Sequence, residues 1–371
     1  MAVIGGRVVT KRIYICHTYY HVYISYLKEL KLRAREKADG AELSGADLVL
    51  SKLSNNFEDL KSRVEATGLF DNVIEFDEKR DTYFPELMEL KKDRKSFVKN
   101  MLQRIRYTKA YAEKEAEFIP VDLKKYKDIY VFCDSDPIGF YLNKNKIYYH
   151  AVEDGLNCLK NYDTARYDNR GHFGLKVFFS KKLNLIFIQN GYGKYCIDCE
   201  VNDISAIEHP CPYYVEEPRM ALVERLTKED KEIICNAFIR DKAGLEAKVN
   251  EAKQKGDCIL ILTDPLCTLD IREQIFKDVI SMFEPEGTIF IKPHPRDELD
   301  YAKLFSKYPQ FDPTLPMEIL GYMPGLHFKK VVGVLTEMKN LVFADEAIRL
   351  GPDFMDKYEE PSVHRQNEQI K

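Results

Sequence analysis

The sequence predicts an α/β protein built from two Rossmann-like domains facing a cleft, and three observations carry that expectation. Short apolar runs alternate with amphipathic stretches along nearly the whole chain, the pattern of parallel strands joined by helical crossovers. Several runs, such as Cys258–Leu262, are apolar at every residue, as strands covered on both faces must be. The length of 371 residues, at ~150 per domain, accommodates about two such units.

Taken in order, the expected strands of the first half are Arg12–Cys16, Asp47–Leu50, Asn72–Phe76, Asp128–Cys133 and Lys146–Val152, with a further apolar run at Leu183–Gln189. Helical periodicity separates them at His21–Arg33, Phe57–Thr67 and Glu86–Glu117. Prolines at 210, 212 and 218 interrupt any period between about 200 and 220, which reads as a linker. A second series follows: helices Lys228–Arg240 and Ala243–Gln254, strand Asp257–Leu262, helix Asp270–Phe283 and strand Thr288–Lys292. It ends with a helix near Leu299–Ser306 and strands Lys330–Leu335 and Asn340–Ala344. The expected division is therefore residues 1–205, residues 206–350 and a helical tail at 351–371.

Composition narrows the function. Lys and Arg total 56 against 60 Asp and Glu, a net charge of −4, which argues against a strongly basic nucleic-acid binder. No apolar run approaches the ~20 residues that span a bilayer, and the N-terminus lacks the apolar core of a signal peptide. Nine irregularly spaced cysteines read as reduced thiols of a cytoplasmic protein. Cys196-x-x-Cys199 with His209 and Cys211 is a weak zinc candidate, because Pro210 stiffens its second half. Eight Lys/Arg against one acid, Asp93, in residues 91–109, with apolar residues at helical spacing, describe either a solvated surface helix or one resting on an anionic membrane.

In open parallel sheets, ligands bind beyond the carboxyl ends of strands, and four motifs sit at such places. Glu153-Asp154-Gly155 follows the run ending at Val152: two acids and a turn glycine, able to present a general base or simply a solvated turn. Lys292-Pro293-His294-Pro295-Arg296 follows the strand at 288–292; the prolines stiffen the loop and pre-aim an imidazole suited to a phosphate. Gly333-Val334-Leu335-Thr336-Glu337 offers a hydroxyl and backbone N–H groups to an anion, or a plain helix cap. Leu315-Pro316-Met317-Glu318 places a carboxylate in an apolar stretch, where it could accept from a ribose diol. No Gly-rich dinucleotide loop, Walker loop or Gly-x-Ser-x-Gly elbow accompanies them.

In this order and across two Rossmann-like halves, the four motifs resemble those of the bacterial sialyltransferases, above all glycosyltransferase family 52, the lipooligosaccharide and capsule sialyltransferase group. The strand and loop Tyr14-Ile15-Cys16-His17-Thr18 and the run Ile259–Pro265, with Thr263, are similar to the same family. The resemblance implies a GT-B fold and an inverting, metal-independent transfer of sialic acid from CMP-sialic acid to a terminal sugar, often galactose, of a surface glycan. It implies Asp154 as general base, with Glu153 and Gly155 supporting it. It implies His294 as donor to the departing phosphate. Thr336 and Thr263 would sit on the CMP side, Glu318 on the ribose, and Lys292, Pro293 and Pro295 against the base. Glu337 departs from the paired hydroxyls of related families and puts an anion near the expected phosphate. The implied partners are a CMP-sugar donor and a glycan acceptor, lipid-linked where the basic helix meets the inner face of the cell membrane. No cofactor and no nucleic acid are expected; a homodimer is, because relatives form them. Another sugar transferase using CMP-Kdo or a hexosyl donor, and a non-catalytic nucleotide-sugar-binding scaffold of capsule assembly, are the alternatives.

Overall fold

A computed structural model describes residues 3–4, 7–8 and 11–364 apart from 133, 162, 255, 324, 337, 339 and 340. The chain divides into two compact units, Met1–Ile233 and Ile234–Lys371.

The first unit is built on seven strands: β1 (Arg12–Cys16), β2 (Ala46–Ser51), β3 (Asn72–Phe76), β4 (Asp128–Phe132), β5 (Tyr149–Val152), β6 (Cys196–Val201) and β7 (Tyr214–Glu216). They pair in parallel in the order β3-β2-β1-β4-β5-β6-β7. Central β1 is buried along its whole length, which is why it carries no solvent-facing alternation. Ile13 and Ile15 pack with Ile129, Val131 and Tyr149. On the other face Tyr14 stacks on Tyr130 at 5.0 Å. Helix α1 (Tyr19–Ala38) is capped by the Thr18 hydroxyl, which accepts from the His21 N–H. Buried Glu29 on α1 accepts from Arg12 of β1 at 2.9 Å and from the Tyr14 hydroxyl at 3.0 Å. A charge-assisted contact of this kind fixes the helix rotation where apolar packing alone would allow sliding. Three further helices matter below: α2 (Leu60–Thr67), α3 (Phe97–Glu115) and α4 (Pro137–Lys144), the last with proline at its first turn. The strand order reverses between β1 and β4, the place where doubly wound sheets open a crevice.

The second unit carries β8 (Cys258–Leu262), β9 (Thr288–Lys292), β10 (Phe328–Gly333) and β11 (Ala344–Arg349), all parallel, in the order β9-β8-β10-β11. Helix α5 (Leu269–Phe283) crosses from β8 to β9 and buries Ile275, Phe276, Val279, Ile280 and Phe283 against the sheet, an i, i+1, i+4, i+5, i+8 stripe. Here the order reverses between β8 and β10. Phe354 and Met355 of the expected tail pack into this core.

Four expectations need correction. The stretch expected as one helix over Glu86–Glu117 forms two, Pro85–Lys91 and α3, with Ser96 in extended conformation between them. Leu183–Gln189 is not a strand. Its Ile186 and Ile188 are apolar because they enter a small core with Met101, Ala165, Tyr192 and Cys211, and burial alone does not distinguish a strand from an irregular segment. Its N–H groups find local partners: Ile188 N–H donates to the Ser180 hydroxyl, and Leu183 and Leu185 N–H donate to the carbonyls of Phe178 and Phe179. The stretch read as a linker contains β7, which hydrogen-bonds to β6 in the first sheet. The last strand begins at Ala344 rather than ending there, and Asn340 lies outside the described residues.

Candidate active site

In the first unit the chemistry gathers at the carboxyl ends of β1 to β5. Glu78, two residues beyond β3, has a fully buried side chain. It accepts from the Ser51 hydroxyl at the end of β2 (2.5 Å), from Ile138 N–H in the first turn of α4 (2.9 Å) and from His17 Nε2 after β1 (2.8 Å). Burial pulls the His17 pKa down, but Glu78, with Asp136 at 3.5 Å and Asp154 beyond, outweighs it and pushes the imidazole up to about 9. His17 is therefore a cation at neutral pH. Burial and the charges of Glu78 and Asp154 raise Asp136 to about 6, against the pull of His17. Glu115 of α3, buried with neither oxygen hydrogen-bonded, is pushed up to about 9 by burial and the charges of Glu78 and Asp136, and so stays neutral.

Asp154 is reached through a second histidine. The His17 backbone N–H donates to His21 Nδ1 at 3.0 Å, which leaves the ring proton on Nε2. That Nε2–H is aimed at Asp154, 2.8 Å from Oδ1 and 2.8 Å from its carbonyl oxygen. The His21 ring is buried, stacked on Phe132 of β4 at 4.5 Å, and burial lowers its pKa. A neutral, immobile donor thus orients a carboxylate that is half exposed, at 53 %. Glu153 points the other way. Its buried carboxylate accepts from Asn202 N–H at 2.9 Å and Leu159 N–H at 3.4 Å, and burial raises its pKa. It braces the turn that presents Asp154. A Cβ on Gly155 would meet only Cys158, at 3.9 Å, so the surface beside Asp154 is open.

In the second unit the loops after β8, β9 and β10 interlock. His294 N–H donates to the Thr263 hydroxyl at 3.0 Å, and Arg296 N–H donates to His294 Nδ1 at 3.1 Å, leaving Nε2 as the ring's donor. Burial, with Arg296 and Lys292 nearby, lowers the His294 pKa. Asp264 gathers Thr336: its carboxylate accepts from the Thr336 hydroxyl (2.6 Å) and from the N–H groups of Thr336 (3.2 Å) and Leu335 (3.0 Å). Beneath, Asp297 accepts from Arg272 of α5, Thr263 and Tyr301. Lys292 is turned inward. Its buried Nζ donates to the carbonyls of Pro293 (2.9 Å) and Pro313 (2.8 Å), and burial lowers its pKa to about 7 against the fields of Asp312 and Glu318. Burial raises the pKa of Glu318. Pro293 is buried and Pro295 exposed. Glu337 lies outside the described residues.

A model of glycosyltransferase family 52 matches residues 69–334. The chain belongs to glycosyltransferase family 52. Among solved structures, an α/β-galactoside α-2,3-sialyltransferase from the luminous marine bacterium Photobacterium phosphoreum is 12 % identical, with 92 % of this chain and 91 % of that one covered at a TM-score of 0.53. A 2,6-sialyltransferase from a Vibrionaceae Photobacterium species, solved with CMP and lactose, is 9 % identical over 91 % of this chain and 71 % of that one at 0.52. At those identities the likeness is one of fold, the two Rossmann-like units of GT-B glycosyltransferases. An uncharacterized protein of Haemophilus influenzae is 29 % identical over 82 residues, 21 % of this chain, and the match spans only 26 % of that relative's length.

The structure of this family 52 member thus gathers Glu153, Asp154 and Gly155 at one switch point and Thr263, His294 and Thr336 at the other. Sequence reasoning missed His17, His21, Glu78 and Asp136 in the first unit and Asp264 and Asp297 in the second. The signal was available for four of them: His17, Glu78, Asp136 and Asp264 each follow a strand within a few residues. The zinc candidate finds no support, since among the described residues no three His, Cys, Asp or Glu side chains are grouped to hold a metal.

Glu78→Ala strands the His17 cation and two further donors, and costs about 3–5 kcal/mol of stability, read by chemical denaturation at pH 7. The His17 contribution is fully present below its unfolded pKa of about 6.5 and is lost as pH rises through the folded value of about 9. Denaturation of the wild type between pH 6 and 9.5 shows a decline in that window that His17→Gln lacks.

Proposed function

We propose that this family 52 glycosyltransferase is an inverting sialyltransferase that uses CMP-sialic acid and a terminal sugar hydroxyl, galactose in the first instance. The observation that carries the reading is the aspartate held by a neutral histidine at the first switch point. An exposed carboxylate with one fixed donor can take a proton from an acceptor hydroxyl, and His21 keeps its lone pairs in register. In the reaction, the acceptor oxygen gives its proton to Asp154 and bonds to the anomeric carbon of sialic acid. The bond from that carbon to the CMP phosphate oxygen breaks, and the electron pair leaves with CMP. Attack opposite the leaving group inverts the centre. His294, neutral with its proton on Nε2, donates to the phosphate as negative charge grows there. Thr336, whose hydroxyl and N–H are both held by Asp264, shapes the loop that faces the same group, and Glu318 takes the ribose hydroxyls. A single phosphate departing as a dianionic monoester carries less charge than a departing nucleoside diphosphate, so the reading assigns no metal. Family membership, the GT-B fold and the CMP and lactose of the Photobacterium neighbour support this choice of donor and acceptor.

Asp154→Asn keeps CMP affinity and lowers kcat for transfer to lactose by ~10²–10⁴. His294→Ala lowers donor turnover by ~10²–10³ and weakens CMP binding. Full turnover in Asp154→Asn would remove the assigned base. Turnover only with CMP-Kdo or a hexosyl donor would keep the fold and change the sugar, and CMP binding without turnover would favour the scaffold reading.

We propose, too, that α3 rests on an anionic membrane. No described helix is long and apolar enough to cross one, but α3 exposes Phe97, Val98 and Leu102 beside exposed Lys95, Lys99 and Arg106. The protein floats with vesicles containing phosphatidylglycerol at low salt and is released at high salt; failure to float at low salt contradicts the proposal.

A further inference from the structure

The first unit holds a cavity of about 570 Å³, walled by one face of α3 and closed by Ser135, Phe140, Asp168, Phe187 and Gln189. Its chemistry is unfinished in one specific way. Arg104 of α3 reaches into it and donates from Nη2 to the Phe187 carbonyl at 3.1 Å, yet no carboxylate among the described residues lies within 4.0 Å of its guanidinium. Asp168 is farther off and accepts from Gln189 Nε2 at 3.0 Å. The cavity's other cations are answered: Lys91 pairs with Asp81 and Lys92 with Glu89. The remaining acid of the lining, Asp93, accepts from Asn100 at 2.7 Å. Burial correspondingly lowers the Arg104 pKa.

Two more groups in the same wall are unanswered. Gln103 is buried and bonds through Nε2 to the Glu89 carbonyl, while its Oε1 has no partner, and neither does the buried Thr108 hydroxyl. Residues 103, 104, 107 and 108 fall on one side of a helix at i, i+1, i+4 and i+5. Opposite them Phe140 and Phe187 meet edge to face at 4.8 Å, with Tyr107 5.9 Å from Phe140. Flat apolar rings with a few amides and hydroxyls suit a pyranose. A half-buried guanidinium with no carboxylate in contact, on which Asp168 acts only from a distance, suits an oxyanion, which it can grip with two parallel hydrogen bonds. The wall also touches the acid cluster, because Ser135 immediately precedes Asp136, whose carboxyl group feels the charge of Asp154.

We propose that this cavity binds a negatively charged sugar of the acceptor glycan, its carboxylate or phosphate on Arg104, so that the acceptor is an acidic oligosaccharide. The inference rests on Asp154 as the acceptor-side base. Leaving a desolvated Arg unpaired is costly, and an acidic sugar supplies the missing charge only when the correct acceptor is bound. The same pocket then discriminates against neutral glycans of equal size.

Calorimetry on the full chain without donor decides it, with lactose, a glucuronic-acid-bearing lactose and a lactose phosphate as probes. The wild type binds at least one acidic probe about tenfold or more tighter than lactose, the worth of one charge-assisted hydrogen bond. Arg104→Gln brings that ratio close to one, and in turnover the change appears in KM for the acidic acceptor rather than in kcat. Preference for the glucuronic-acid-bearing probe alone assigns a carboxylate, for the phosphate alone a phosphate, and for both an oxyanion of either kind. A wild type that binds all three equally overturns the proposal, as does a ratio that survives in Arg104→Gln. Should that variant not fold, Arg104→Lys, which keeps the charge but loses the fork, carries the comparison and lowers the ratio partially. The binding measurement stands whether or not CMP-sialic acid proves to be the donor, so the failure of that assignment and of this one are distinguishable.

Discussion

A buried carboxylate with three donors on three different crossovers is the constraint on which the first unit's chemistry depends. Glu78 receives Ser51, His17 and Ile138 N–H, and so welds the ends of β1, β2 and β3 and the start of α4 into one hydrogen-bonded body. Burying that charge is unfavourable unless its lone pairs are answered, and the fold answers them by holding His17 protonated. The consequence runs outward: once His17 is fixed, its backbone N–H sets the tautomer of His21, and His21 aims Asp154. Each step removes a degree of freedom from the only member of the chain that is half exposed. Orientation of this kind, assembled before substrate arrives, is what general-base chemistry needs.

The second unit solves a similar problem with the same means and opposite electrostatics. Asp264 and Asp297 are the braces, tying the loops after β8 and β10 and the loop after β9 to α5. They leave His294 neutral with its proton on the outer nitrogen. A neutral imidazole donates to a phosphate without drawing it into a permanent ion pair, so its hydrogen bond strengthens as charge develops on the leaving oxygen. Lys292, the obvious phosphate ligand by charge, is instead consumed by two backbone carbonyls and stiffens the turn that carries His294.

Much of this was legible in the sequence, for stated reasons. Strands β1, β8 and β9 fall where near-continuous apolar runs place them, because a strand covered on both faces writes its burial into nearly every residue. Three of the four motifs were found because each follows a strand end, a rule of the architecture; Glu318 instead lies in the short helix Met317–Tyr322, away from any strand end. What escaped was everything that depends on strand order. Nothing local says that Glu78 after β3 meets His17 after β1, or that His21, on the first turn of a helix, meets Asp154 some 130 positions later; those pairings exist only once β1 lies between β2 and β4. Side-chain direction was equally invisible, so Lys292 and Glu153 looked available when both are internal. Leu183–Gln189 misled because a buried loop and a buried strand share a composition, and the prolines around β7 disguised a short edge strand.

The claim at the centre of this account is that two Rossmann-like units with an aimed aspartate and a neutral, pre-oriented histidine move sialic acid from a CMP donor to a sugar hydroxyl. Initial rates of CMP release from CMP-sialic acid, measured with and without lactose, test it most directly. The account predicts slow release alone and a marked stimulation by the acceptor, with sialylated lactose formed in equal amount to the CMP freed. Release no faster than in buffer at any acceptor concentration, or stimulation that yields free sialic acid and no sialylated sugar, would contradict it.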